Sequence, residues 1–423
     1  MEKIAKNLQL VLMCIILIST VIAVGIEIKN MFLNQSVTLA DLLLMFLYLE
    51  VLAMVRVFWD QQSISITLPL LIAITALARF IILQGKEMDP TALVYEAVAI
   101  VLIAAAIVIL RLRHSDKLGQ EVLWRVYWKG WLELRPNVWT DYLVELNNLR
   151  NEFKDKQNYL DAIEGKTDLE FFNQWVNELK ENNYLHNHTR MWFASVWIFT
   201  LELPWQLGAE FFMQHLYDGD AASNTLGWRW VAGIQTQGKH YLASEWNIKK
   251  FTNNRFQNIK LNENAPPKIS EKSYPLIKRE FNNPQNVEEK NLLIFENNLS
   301  FEITDFKEKK FEKIYIVSNK NENRSIKLSE KLVKFKSLLI EDQKQRLKDK
   351  SIDCEIIDIS EIQNIENYYA LYPNVGENSD YLNFKNVKMN FLYRGLDQLA
   401  WQFCNKGFFN FKNYIPKIIS TFN

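Results

Sequence analysis

The residues best suited to chemistry lie within one stretch of the chain. His186-Asn187-His188-Thr189-Arg190-Met191 comes first, then Leu203-Pro204-Trp205-Gln206-Leu207-Gly208. Asp218-Gly219-Asp220-Ala221-Ala222-Ser223-Asn224 and Gly227-Trp228-Arg229-Trp230 follow. Within about 45 residues this places carboxylates, an amide, an arginine and several indoles, a set that suits a planar aromatic ligand with a polar edge. Carboxylate and amide groups can read ring nitrogens, and indoles can stack or pass electrons. The same residues also read as a Trp-rich helical core with an N-cap at Asp218 or Asp220, and composition alone leaves the two readings near even. Hydrolytic chemistry has no support, since His188 and His215 have no serine or carboxylate arrangement around them.

The elements that must carry these groups are helices. Apolar positions recur at three- and four-residue spacing over 118–134, 168–183, 188–201 and 205–217, with breaks at Pro136 and Pro204, and no alternating strand pattern appears. The spacing predicts an all-helical middle domain over 115–257.

Order and spacing within that domain resemble the FAD-binding domain of the DNA photolyase and cryptochrome family. The DGD…N…W.W pattern is met at Asp218, Asp220, Asn224, Trp228 and Trp230. The HN..RM pattern is met at His186, Asn187, Arg190 and Met191, and the E..WR helix at Glu121, Trp124 and Arg125. The resemblance implies FAD as cofactor, held by Arg125, Asn187, Arg190, Asp218, Asp220 and Asn224. It implies an Arg190–Asp218 ion pair against the isoalloxazine, Asp220 bonded to the flavin's polar edge, and Asn224 opposite N5. It further implies Trp228 and Trp205 as inner stations of an electron-hopping chain. Glu121, Trp124, Asn187, Met191 and Trp230 would line a pocket for a flipped pyrimidine dimer, with Glu121, Asn224, Trp228 and Trp205 carrying the catalytic roles.

Three departures accompany the resemblance. The family's Ser/Thr-rich loop that clamps the FAD phosphates should precede the E..WR helix, where residues 111–119 stand instead. The outer tryptophan of the electron chain should stand just before Gly165-Lys166-Thr167, where Ala162 and Ile163 are found. The family's antenna-binding α/β domain at the amino end has no counterpart there. FAD is therefore expected to bind more weakly than in complete relatives, because a pyrophosphate needs backbone N–H or basic partners.

The overall composition, 48% hydrophobic and 23% charged, is that of an ordinary soluble protein and hides a split along the chain. Residues 8–110 are mostly apolar. Four apolar runs, 8–26, 39–59, 63–83 and 92–110, each have about 19–21 residues, the length that crosses a bilayer core. A signal peptide would be shorter and would end at a small-residue cleavage site. Lys3 and Lys6 precede the first run, and Arg111, Arg113 and Lys117 follow the last. Positive residues on the inner side then put both termini in the cytoplasm, in an inner (plasma) membrane. Asp41, Glu50, Arg56, Arg79 and Glu96 lie within the runs and must pair or face a polar interior, with Glu50–Arg79 a plausible interhelical pair. This region resembles the phosphate-starvation-inducible PsiE family, on Phe46-Leu47-Tyr48-Leu49-Glu50, on Ile74-Thr75-Ala76-Leu77-Ala78-Arg79, and on Pro90 followed by Leu93-Val94-Tyr95.

Residues 258–290, rich in Pro, Lys and Glu, read as a linker. Beyond it, 292–295, 314–317 and 354–359 read as short buried strands, with an amphipathic helix over 327–348. These predict a small α/β domain over 291–423. No glycine-rich phosphate loop follows any of the strands. Cys14, Cys354 and Cys404 are widely separated and favour neither a disulfide framework nor a metal site. The expected fold class is mainly α: a four-helix transmembrane bundle over 1–114, the helical FAD-binding domain, then the α/β domain. Two functions compete. One is a membrane-tethered enzyme that repairs pyrimidine dimers in damaged DNA by light-driven electron transfer from reduced FAD. The other is a flavin-based light or redox sensor, and a fused remnant without FAD stands behind both. A formal net charge of zero provides no global field toward nucleic acid, so any DNA contact must be local.

Overall fold

A computed structural model describes residues 2–61, 70, 73–78, 81, 90–288 and 290–422. The chain divides into two units, Met1–Gly119 and Gln120–Asn423.

In the first unit, α1 (Glu2–Leu33) and α2 (Leu39–Gln61) pack together around Met13 and Val55, with Leu17 against them. Thr38 and Asp41 start α2 by exchanging bonds: the Thr38 N–H donates to Asp41 Oδ2 and the Asp41 N–H to Thr38 Oγ1. Val11, Ile15, Ile18 and Ile22 of α1 are exposed. Among the described residues, one helical segment, Val11–Leu33, is long and apolar enough to cross a membrane. Of the four expected spans, 63–83 lies largely outside the described residues, as does Arg79, so the Glu50–Arg79 pair cannot be placed. Glu50 Oε1 accepts a hydrogen bond from Thr75 Oγ1 at 3.1 Å.

Helix α3 (Pro90–Glu133) begins at a proline, whose fixed φ suits a first helical turn. The polar stretch 111–119, which stands in the place of the family's phosphate-clamp loop, is helical within it. It holds no proline and a single glycine, so nothing in it interrupts a helix.

The second unit is two layers. Its helical layer holds the end of α3, then α4 (Asn137–Phe153), α5 (Gln157–Glu164), α6 (Glu170–Asn182), α7 (Asn187–Ser195), a π turn over Val196–Thr200, α8 (Trp205–His215), α9 (Ala221–Ala232) and α10 (Glu245–Phe251). Its core is aromatic: Trp139, Tyr142, Phe172, Phe193 and Trp197 are almost fully buried. The described residues of 258–290, expected as a linker, have no helix or strand but lie against this layer. Lys268 N–H donates to Ala232 O, Ile277 N–H donates to Leu134 O, and Lys272 reaches Asp141 and Glu145.

The α/β layer is a parallel sheet of β1 (Asn291–Phe295), β2 (Ile314–Ser318), β3 (Cys354–Asp358), β4 (Tyr368–Leu371) and β5 (Phe391–Leu392), in the order β3-β2-β1-β4-β5. Leu292 to Phe295 are all fully buried, as expected of a strand covered on both faces. Helix α11 (Glu330–Asp349) crosses from β2 to β3, capped by Ser329 and burying Leu332, Ile340 and Leu347. Helix α12 (Glu377–Phe384) follows β4, and the tail folds into α13 (Gly395–Trp401), α14 (Phe408–Lys412) and α15 (Ile415–Phe422). The three expected strands are present. β4 and β5 were not anticipated, because runs of four and two residues are too short to show a period.

Buried polar contacts join the two layers. Glu133, with no exposed surface, accepts bonds from Arg279 Nη1 (2.8 Å), Tyr372 OH (2.7 Å) and Val375 N–H (2.7 Å). Trp139 Nε1 donates to Asp380 Oδ2 at 2.7 Å. Both carboxyls are pushed up by burial, Asp380 to about 6.

Candidate functional site

The site is built around the start of α9. Asp220 is its N-cap: Oδ1 accepts from the Ala222 N–H (3.1 Å) and the Ser223 N–H (3.0 Å), which satisfies two first-turn donors. Asp220 Oδ2 is buried without a hydrogen bond, although Arg125 Nη1 stands 3.3 Å away. Asp218, two residues earlier, pairs with Arg190 Nη1 at 3.0 Å and Arg125 Nη2 at 3.4 Å. Arg190 is aimed by its Nε, which donates to Leu185 O. His186 caps α7 by accepting the His188 N–H, and so places Asn187 and Arg190 on the first turn of that helix. Four residues of the expected cofactor set, Arg125, Arg190, Asp218 and Asp220, thus come together as one charged cluster.

The others are placed differently. Asn187 is exposed and Met191 half-buried. Asn224 is buried on α9, where its Nδ2 donates to Ala209 O at 2.7 Å and ties α9 to α8. Trp228 is buried behind it with its Nε1 unpartnered, edge-on to Phe212 and Trp197. Gly208 makes this possible, since a Cβ there would stand 2.3 Å from the Trp228 ring. Trp205, on the same helix as Gly208, stacks on Tyr142 at 5.4 Å. Two further aromatic paths extend from these indoles: Trp228 meets Trp197, which meets Tyr159, and Tyr142 meets Trp139. Neither path was anticipated from sequence, because Trp197 and Tyr142 belong to no spaced motif.

Trp124 and Trp230 each pack on other rings. Trp124 is stacked on Phe408 of the tail with an interplanar angle of 10° and also touches Tyr127 and Trp128. Trp230, 36% exposed, stacks on Tyr241. Among the described residues no ring contact links the two. Glu121 lies in α3, and its side chain is outside the described residues.

A cavity of about 370 Å³ opens beside the cluster. Arg125, Lys129, Asp218 and Asp220 line it from the helical layer, and Asn297, Lys336, Asn374 and Gly376 from the α/β layer. The residues present fit the ring end of a flavin. Asp220 Oδ2 is a buried acceptor that is ion-paired to Arg125 but accepts no hydrogen bond, one that an imide N–H would supply, and the nearby Ser223 Oγ is buried without a hydrogen bond.

Comparison with known proteins finds two families and several relatives. Residues 118–312 match the family described as the FAD binding domain of DNA photolyase. Residues 4–115 match the phosphate-starvation-inducible E family. The chain is 28% identical over 154 residues to a deoxyribodipyrimidine photo-lyase of Vibrio cholerae, covering 34% of this chain and 33% of that one. It is 31% identical over 140 residues to one of Streptomyces griseus (32% and 30%). It is 29% identical over 130 residues to one of Escherichia coli (29% and 26%). The chain thus spans a third or less of the length of these relatives. No solved structure matches it. The photolyase match runs past the helices, where the resemblance was placed, and beyond β1.

Proposed function

We propose that this chain is a membrane-tethered, photolyase-like flavoprotein whose helical layer holds the isoalloxazine of FAD at the start of α9. The observation that carries this reading is the buried Asp220 Oδ2, which has an ion pair to Arg125 but no hydrogen bond, beside the Arg190–Asp218–Arg125 cluster. When bound, reduced FAD supplies a light-driven electron to an acceptor, and a pyrimidine dimer in damaged DNA is the acceptor proposed here. Asp220 would accept the ring N–H and fix the ring's orientation while its other oxygen keeps α9 capped. The two arginines would hold Asp218 ionised and place positive charge at the ring edge. Trp228, buried in an aromatic shell, would deliver electrons to the cofactor's side of α9, with Trp205 or Trp197 as the next station. The apolar segment of α1 and the match to the phosphate-starvation-inducible family support membrane association; a four-span anchor over 1–114 with both termini cytoplasmic is proposed from the four apolar runs and their flanking Lys and Arg.

One observation favours a second reading, a light or redox sensor: Phe408 stacks on Trp124, so that face of the indole is not open to a flipped base. An absorption spectrum of detergent-purified protein tests the cofactor. Flavin bands lost in Asp220→Ala support the assignment, and equal flavin content in both proteins overturns it. Dimer loss under blue light with pre-reduced protein separates the two readings. Repair supports the enzyme, whereas bound flavin without repair leaves the sensor.

A further inference from the structure

The helical layer has nothing in the place of the family's phosphate clamp, yet the cavity at Asp220 does not end at that layer. We propose that the adenosine diphosphate end of FAD lies in the crevice at the carboxyl ends of β1 and β4, so that the C-terminal α/β layer replaces the missing clamp. This rests on the FAD reading above.

The sheet order locates the crevice. From β1 the chain steps outward through β2 and β3, then returns to the other side of β1 for β4 and β5. The loops leaving β1 and β4 therefore run in opposite directions and open a gap between them, the place where doubly wound sheets receive ligands. Asn297, just beyond β1, and Pro373, Asn374 and Gly376, just beyond β4, line the same cavity as Asp218 and Asp220. A ligand with its ring at Asp220 and a long substituent has this continuous space to enter.

Two features of the β4 loop call for a ligand. Asn374 is 7% exposed, and its Nδ2 is a buried donor without an acceptor. Leaving such a donor unmet is unfavourable, and a phosphate or ribose oxygen would satisfy it. Gly376 has φ +147°, and a Cβ on it would come within 3.0 Å of Ala221 Cβ. Glycine lets the loop approach the start of α9 and leaves α12 without a side-chain cap, so no capping side chain stands between its first turn and a ligand, although that turn carries Glu377 and Asp380.

The charges are compatible with a pyrophosphate. Three of the acidic groups that line the crevice are already engaged. Glu296 is paired with Arg324 and Lys336, and Glu377 accepts the Ser325 and Ile326 N–H groups. Asp342 is paired with Arg346. Lys129 also lines the cavity and makes no ion pair among the described residues. Lys336 stays 22% exposed, long enough to turn from Glu296 to a phosphate.

The test compares FAD with riboflavin, which shares the ring and lacks the phosphates and adenosine. Full-length protein in detergent, stripped of flavin, is titrated with each while flavin fluorescence is followed. Wild type is expected to prefer FAD by about tenfold or more. In Lys129→Gln/Lys336→Gln that preference should fall about tenfold, with riboflavin affinity within about twofold of wild type. Asn374→Asp, which changes no volume and replaces the donor by a carboxylate, should act in the same direction and covers the case where the double variant loses its melting transition. Asp220→Asn should weaken both ligands together. If FAD binds but its preference over riboflavin is unchanged in these variants, the crevice is not the phosphate site, and the FAD reading survives. If wild type binds neither flavin, the FAD reading fails and takes this inference with it.

Discussion

At the scale of single residues, Asp220 does two jobs with its two oxygens: Oδ1 caps α9 and Oδ2 faces the cavity. Substitution can separate them. Asp220→Ala removes the cap and is expected to cost about 1 kcal/mol of stability, read as a lower melting temperature. Asp220→Asn retains a capping oxygen and is expected to melt close to wild type while holding flavin less well. Equal destabilisation in both would mean that the Arg125 contact, rather than the cap, supports the helix. Gly208 is a packing counterpart. An alanine there would place a methyl 2.3 Å from the Trp228 ring, so Gly208→Ala should destabilise by about 1–3 kcal/mol through overpacking. Thermal melts that match wild type would show that Trp228 can shift without loss.

At the scale of elements, α14 covers α3. Phe408 is 7% exposed and stacks on Trp124, within a cluster that includes Tyr127, Trp401 and Phe411. Phe408→Ala is expected to cost about 3 kcal/mol, in the range for removing a buried aromatic. It should also shift tryptophan emission to longer wavelength as Trp124 meets water. If the tail masks a base-stacking surface, the same variant should bind single-stranded DNA more tightly than wild type. Unchanged DNA binding together with a red shift would assign Phe408 to packing alone.

At the scale of the whole second unit, stability is expected to depend on pH. Asp380 on α12 is pushed up to about 6 by burial beside the α4 indole Trp139. Between about pH 4 and 6 the folded protein keeps a proton that the unfolded chain has released, so stability falls as pH rises through this window and then levels off. His215 acts in the opposite sense. Burial lowers it to about 4, so its contribution is lost as pH falls from about 6.5 to 4. Comparing Asp380→Asn with wild type isolates the first effect. The variant should gain on wild type by on the order of 2 kcal/mol across pH 4 to 6 and hold that gain above it. A difference independent of pH would mean that Asp380 is ionised in the folded state throughout.

The sequence by itself determined what depends on local pattern. Helical spacing located α6 to α8, the run Leu292-Leu293-Ile294-Phe295 announced a buried strand, and the order of Asp218, Asp220, Asn224 and Trp228 pointed to a flavin family. The Arg190–Asp218 contact was expected from that resemblance, and the cap at Asp220 from the fact that carboxylates there accept first-turn N–H groups. Only the tertiary structure decided which distant residues share a surface. Nothing in the spacing of Trp124 and Phe408 brings them together, and burying their rings does. Short strands such as β4 and β5 have too few residues for a period, so the switch between β1 and β4, and the crevice it opens beside Asp220, appeared only once the sheet had formed. Glu133 ends a helix in the sequence. Its burial among Arg279, Tyr372 and Val375 depends on chain more than a hundred residues away, where the only stable place for a buried carboxylate is among donors.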